Sequence, residues 1–321
     1  MAPTFVTANP ADASLSYAPR MTPNLFCFGL GYSARHYVAA HGDALDGIAG
    51  TLRGRAAAAE LSRRGIGGRA VRAIPFDGMT AVPDLAADLT AADCLLVSIP
   101  PDQQGDPVLH HYGEVLAAVP RLRTIVYLST LGVYGDHEGA WIDETAAPHP
   151  ISGRSRARLD GEQAWAELAA RRGTPLTVLR LAGIYGPDRN ALLQVADGSA
   201  RRIVKSRQVF NRIHVADIAQ VIAAAFARRA DGIFNVADDE PAPPGDPVAF
   251  AAGLMGRAPP PEVPFTEAAR TMSAMALSFY GESKRAANAK MKRDLGVRLA
   301  YPTYREGLRA LFAAGEGAAA I

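Results

Sequence analysis

The stretch Asn24–Ala40, NLFCFGLGYSARHYVAA, decides the fold. Leu25-Phe26-Cys27-Phe28 is an apolar run too short for a helix and closed by glycine, the pattern of a strand buried on both faces. Gly29-Leu30-Gly31-Tyr32-Ser33-Ala34 follows, a G-x-G-x-x-A spacing. Beyond it Ala34, Tyr37, Val38 and His41 recur at helical spacing, so the glycines are expected at a strand-to-helix turn. Such a turn accepts a pyrophosphate. Gly29 permits the bend, Gly31 lets the backbone approach the phosphate, Ala34 lets helix and strand pack closely, and Tyr32 and Ser33 open the helix whose free N–H groups meet the charge. The competing reading is a plain tight turn.

Further strands are predicted at Gly47–Leu52, Val71–Pro75, Cys94–Ile99, Thr124–Ser129, Leu176–Leu181 and Ile233–Val236. Helical patterns separate most of them, at Ala56–Arg64, Leu85–Leu89, Val108–Ala118 and Ala157–Ala169. This alternation specifies an α/β fold, a doubly wound parallel sheet with the ligand crevice at the carboxyl ends of its strands. Three regions are expected: a disordered tail over 1–21, a dinucleotide-binding domain over 22–182, and a smaller, mainly substrate-binding lobe over 183–321 that returns some segments to the sheet.

The end of the second strand bears on the cofactor. In dinucleotide folds an acid there binds the ribose 2′-hydroxyl, whereas arginine accommodates a 2′-phosphate. Here the strand ends in Thr51-Leu52-Arg53, and Asp43 and Asp46 precede it at the wrong end. NADP is therefore expected over NAD, with Thr51 and Arg53 at the cofactor; the alternative for Arg53 is a solvated loop. Asp77, after the third strand, is placed near the adenine, and Ile99 and Pro100 border the cofactor where the fourth strand stops.

The 321 residues, 49% of them hydrophobic, carry a formal net charge of +2, which suits a cored soluble protein and demands neither an acidic nor a basic partner. The arginines are dispersed among acids, so no nucleic-acid surface is expected. No run reaches membrane-spanning length, and Cys27 and Cys94 fall in predicted buried strands. A reducing cytoplasm is the expected location. No metal-ligand spacing and no G-x-S-x-G occurs.

Ser129-Thr130-Leu131-Gly132-Val133-Tyr134-Gly135 resembles the fifth-strand segment of the extended short-chain dehydrogenase/reductase superfamily. Leu179–Pro187 and the H-V-x-D segment His214-Val215-Ala216-Asp217 are similar to later motifs of that superfamily, and the glycine spacing and Ser283–Asn288 look like its atypical epimerase/dehydratase members. The resemblance covers residues 24–312 and implies a Rossmann-type domain, with Gly183 and Ile184 beside the cofactor and Thr130 as the group that polarises the substrate. It also requires a Tyr-x-x-x-Lys pair on the following helix. Counting back from Glu162 puts Arg158 at the lysine position and Arg154 at the tyrosine position. A guanidinium cannot shuttle protons, which leaves Tyr134 and His137 as nearby donors, each with a structural alternative. His214 reads as a helix-start or core histidine.

In members acting on nucleotide sugars an asparagine and an arginine hold the diphosphate, but the corresponding positions here are Gly183 and Phe210. A small polar or anionic substrate is expected instead, and two arginines above the nicotinamide would favour an anion. Two classes of function follow: an NADP-dependent oxidoreductase or epimerase/dehydratase, or a non-catalytic NADP-binding sensor for which the missing pair is no loss. A homodimer through the helices after the fourth and fifth strands is expected from the resemblance.

Overall fold

The computed structural model describes residues 22–102 and 104–317. The expected tail, 1–21, lies outside the described residues. Seven parallel strands form the central sheet: β1 (Leu25–Phe28), β2 (Ile48–Leu52), β3 (Arg72–Pro75), β4 (Cys94–Val97), β5 (Thr124–Thr130), β6 (Leu176–Leu181) and β7 (Gly232–Val236). Their order is β7-β6-β5-β4-β1-β2-β3, and the direction of winding reverses between β1 and β4. At such a reversal the flanking connections diverge and leave a crevice at the carboxyl ends, where the glycine turn stands. β4 ends two residues earlier than its apolar run, because Ser98 N and Ile99 N both donate to Phe28 O, at 2.8 and 3.2 Å, and leave the ladder.

Alternate residues of each strand serve two cores, as a pleated strand covered on both faces requires. Leu25, Cys27, Leu96 and Val126 face α1 (Tyr32–His41) and α6 (Val215–Arg228), where Tyr37 meets Phe226 at 5.8 Å between ring centroids. Phe26, Phe28, Leu95 and Ile125 face α3 (Leu85–Ala91), α4 (Pro107–Ala118) and α5 (Gly153–Arg172), with Trp165 wholly buried. The remaining sheet-flanking helix, α2 (Arg55–Arg64), packs on β2 and β3. Cys27 and Cys94 are buried free thiols, and burial raises the pKa of both, which keeps them protonated and inert. The later part of the chain has a separate core around Tyr185, Leu192, Val248, Tyr304 and Leu308. It also sends α6 and β7 back to the sheet.

His214 opens α6 and joins these parts. Its Nδ1 accepts from Ala216 N at 3.2 Å, and its ring packs 4.1 Å from Tyr301 and 5.1 Å from Tyr185. Asp217 accepts from Ala300 N and Tyr301 N at 2.6 and 3.1 Å, so the H-V-x-D segment fastens a distant loop against the helix start. The histidine is both cap and core, as its position predicted. Burial, and secondarily the charge of His36, lowers its pKa to about 4. The folded state thus holds a neutral ring, and its contribution to stability is full above the unfolded value near pH 6.5 and lost as pH falls toward 4. His214→Asn, which keeps a capping acceptor but cannot titrate, should remove about 2–3 kcal/mol of acid destabilisation between those limits. Parallel urea unfolding at pH 4.5 and 7 checks this; an unchanged difference between the two pH values would refute the assignment.

Candidate cofactor and substrate site

The crevice begins at Gly29, which adopts φ +95°. A Cβ there would stand 2.5 Å from Ser98 Oγ and 3.2 Å from Ile99 Cγ1, so only glycine fits. Its amide donates to Thr51 Oγ1 at 2.9 Å and its carbonyl accepts from Ser98 Oγ at 2.7 Å. Gly31 is different. Nothing lies within 4 Å of the position a Cβ would take, so the space over its Cα is open for a ligand. Gly31 is also the N-cap of α1, which has no side-chain cap and no acid in its first turn. The first described helical bond runs from Arg35 N, leaving the amides of Tyr32, Ser33 and Ala34 free to meet an anion. An open cradle, free N–H groups and a positive helix end fit the pyrophosphate of a dinucleotide.

Thr51 is wholly buried beneath this turn and cannot touch a cofactor. Its expected contact is corrected to a supporting one, through the Gly29 amide. Arg53 and Arg55 are exposed at the start of α2, with no bond or ion pair of the Arg53 guanidinium among the described residues. Asp77 is exposed after β3 and caps its own turn through Met79 N at 2.9 Å. Tyr32 reaches across the crevice, donating to Pro187 O at 2.7 Å. This brings the glycine turn against the segment of Gly183 and Ile184, which pairs in parallel with Arg212 and Ile213.

The far end of the crevice is built from β5 and α5. Thr130 is half-buried and its Oγ1 accepts from Gly132 N at 3.1 Å. A Cβ on Gly132 would stand 2.9 Å from Ser155 Oγ and 3.5 Å from Thr130 Oγ1, so both hydroxyls border Gly132; Ser155 is buried, and its Oγ accepts from Ser152 Oγ at 2.9 Å. Arg158 Nη1 donates to Leu128 O at 3.0 Å and Tyr127 Oη at 3.2 Å, and reaches Ile99 O at 3.5 Å. It therefore ties the ends of β4 and β5 together. Pro100, the next residue, is exposed. Arg154 lies one turn earlier on the same face of α5, exposed and without a partner among the described residues. The two arginines do not act as a pair: one is held by the scaffold and one is free.

Tyr134 does not line the crevice. It is wholly buried, donates to Asn235 Oδ1 at 2.8 Å, and carries the Arg180 guanidinium 4.6 Å from its ring centroid. The catalytic expectation for Tyr134 is corrected on that ground, since no substrate can reach the hydroxyl. His137 is half-buried beside a separate cavity of about 410 Å³ that also includes Trp141 and His149. A larger groove of about 690 Å³ runs along α5 past Ala166, Ala170, Leu176 and Gly232, at the amino ends of β6 and β7 and so opposite the crevice. Sequence reasoning missed Ser98, Ser155 and Arg35, whose Nε donates to Leu30 O at 2.8 Å within the glycine turn. Ser98 carried a readable signal, a hydroxyl directly after a buried strand; Ser155 did not.

The sequence profile described as the NAD dependent epimerase/dehydratase family matches residues 111–237. A solved structure of a functionally unknown conserved protein from Silicibacter pomeroyi is 44% identical, covering 92% of this chain and 100% of that one, with a TM-score of 0.80. This chain belongs to the NAD-dependent epimerase/dehydratase family. Among its curated relatives, a 3-diazoavenalumate denitrifying reductase of a Streptomyces species is 30% identical over 137 residues, 41% of this chain and 45% of that protein. Protein YeeZ of Escherichia coli K12 is 29% identical over 192 residues, 56% of this chain and 67% of that protein. The chain thus matches less than half the length of the first and about two thirds of the second. Members of the extended short-chain dehydrogenase/reductase superfamily share the fold, and a nicotinamide dinucleotide is the cofactor the family implies. No helix among the described residues is long and apolar enough to cross a membrane.

The two glycines make separable predictions. Gly29→Ala should destabilise the fold by about 1–3 kcal/mol, because a side chain meets both a positive φ and Ser98. Gly31→Ala should cost less than about 1 kcal/mol of stability, being an extended N-cap in open space, yet weaken dinucleotide binding. Thermal unfolding and cofactor titration of both proteins check this; intact cofactor affinity in Gly31→Ala would refute the cradle.

Proposed function

We propose that the protein is an NADP-dependent oxidoreductase or epimerase/dehydratase acting on a small anionic substrate. The carrying observation is that the glycine turn, Ile99, Arg158 and Thr130 gather at the carboxyl ends of β1, β4 and β5, and that Arg53 and Arg154 are exposed and unpartnered among the described residues. Arg53 would hold the 2′-phosphate. Gly31 and the amides of Tyr32, Ser33 and Ala34 would hold the pyrophosphate, with Asp77 toward the adenosine end. Ile99, Pro100, Gly183 and Ile184 would border the nicotinamide half. A bound nicotinamide supplies hydride transfer. Thr130 would hydrogen-bond and orient the substrate, and Arg154 would hold its charge. The reductase name of the Streptomyces relative supports reductive chemistry over a sensor without turnover. A cytoplasmic homodimer through α4 and α5 is part of this reading, supported by the small side chains Ala166 and Ala170 along the outer groove. Only monomer by light scattering at micromolar concentration would remove the dimer.

NADPH should bind more tightly than NADH by about 1.5–3 kcal/mol, the worth of a charge-assisted bond to Arg53. Nicotinamide fluorescence titration measures it. Equal affinities, or an Arg53→Ala protein that keeps the preference, would overturn the choice of cofactor. Without a phenolic acid, oxidation of NADPH by neutral ketones and aldehydes should be about 10²–10⁴-fold slower than general acid–base catalysis would give. Robust turnover of such compounds that survives His137→Gln would show that the proton donor lies elsewhere.

A further inference from the structure

The chain entering α5 carries apolar surface that a small polar ligand would leave in water. Seven large hydrophobic side chains are exposed among the described residues, and Ile151, Met275 and Phe279 are three of them, at 50%, 55% and 52%. Met275 and Phe279 stand four residues apart on one helix, α7 (Ala274–Tyr280), and so share a face. The helix is anchored at its other end. Tyr280 packs between Phe210 and Phe265, at 5.2 and 5.1 Å, and Lys205 Nζ donates to Tyr280 O. The next residue, Gly281, has Ile151 Cδ1 only 3.3 Å from its Cβ position, so α7 abuts the chain entering α5. Ile151 is three residues before Arg154, whose charge stands in a helix first turn with no acid. A lone cation beside the positive end of a helix is unfavourable until an anion arrives.

Resting on the crevice reading above, we propose that the substrate is an organic anion with an apolar, ring-sized body. Its carboxylate or phosphate pairs with Arg154, and its body lies on Ile151, Met275 and Phe279. Three half-exposed side chains offer on the order of 300 Å², well below the roughly 800 Å² per partner of a stable protein interface. The patch is the size of a ligand. Polarity is then read at one end of the substrate only, which replaces the expectation of a polar molecule with that of an amphipathic one.

Calorimetry with 3-phenylpropanoate, 3-phenylpropanol and propanoate, on protein with and without saturating NADPH, tests this. The phenyl acid should bind about tenfold or more tightly than the alcohol, which lacks the charge, and than propanoate, which lacks the ring. Phe279→Ala should weaken it about fivefold while NADPH affinity, read by nicotinamide fluorescence, stays within twofold; Arg154→Gln should abolish the preference for acid over alcohol. Phe279 is exposed, so its truncation leaves the fold intact. Equal binding of propanoate and the phenyl acid, or no effect of either substitution, would overturn the inference. So would binding to phosphatidylglycerol vesicles without discrimination among the three compounds, which would identify a membrane contact. Failure to bind NADPH while the three ligands rank as expected would overturn the cofactor reading alone.

Discussion

Everything in the crevice depends on how tightly the Gly29 peptide is held. Its amide is bound by Thr51 of β2, its carbonyl by Ser98 after β4, and its Cα is pressed against both Ser98 and Ile99. Three adjacent strands are thereby pinned at one residue, in a conformation that L side chains resist. Because the turn has no freedom, α1 must start where it does, and its free amides point into the crevice before any ligand arrives. Pre-organisation of this kind keeps the ordering cost out of cofactor binding.

A second set of constraints fixes α5. Glu162 of that helix receives Arg180 Nη2 at 2.6 Å and Nε at 3.2 Å, both side chains being almost fully buried, and it also accepts from Ser129 Oγ. Arg180 then lies on the Tyr134 ring, Tyr134 bonds to Asn235, and Asn235 N donates to Glu144 Oε1 at 2.8 Å. Burying an ion pair is costly, and its removal from one side leaves an uncompensated charge. Here each member has several partners, so the pair locks the rotation of α5 over β5 and β6. That rotation sends Arg158 to the ends of β4 and β5 and Trp165 into the core.

The fold was legible because the central strands are short, mostly apolar segments of four to seven residues, most of them separated by helical patterns, and Leu25–Phe28 was read to the residue. The glycine turn was legible for the same reason, with roles set by spacing. Side-chain direction was not. V-Y-G names a tyrosine after β5 but not the 3₁₀ turn over Leu131–Tyr134 that sends its ring inward. Thr51 fell in the right strand, yet strand parity decides only which face it takes, and that face lies under the turn. The paired segments Gly183–Tyr185 with Arg212–His214, and Trp141–Ile142 with Arg285–Ala286, are too short for any periodicity to reveal.

Arg158 and Arg154, one turn apart on α5, show how one residue type takes two roles. An arginine brings a planar fork of donors, and one nitrogen of Arg158 engages three acceptors at the ends of β4 and β5. Its guanidinium also lies 5.4 Å from the Tyr127 ring centroid, which adds a stacking contact an ammonium would make less well. That residue has become scaffolding. Arg154 has no such acceptors among the described residues and stays exposed. A fixed charge there can hold an anion but cannot take or give a proton, so any proton transfer falls to other groups.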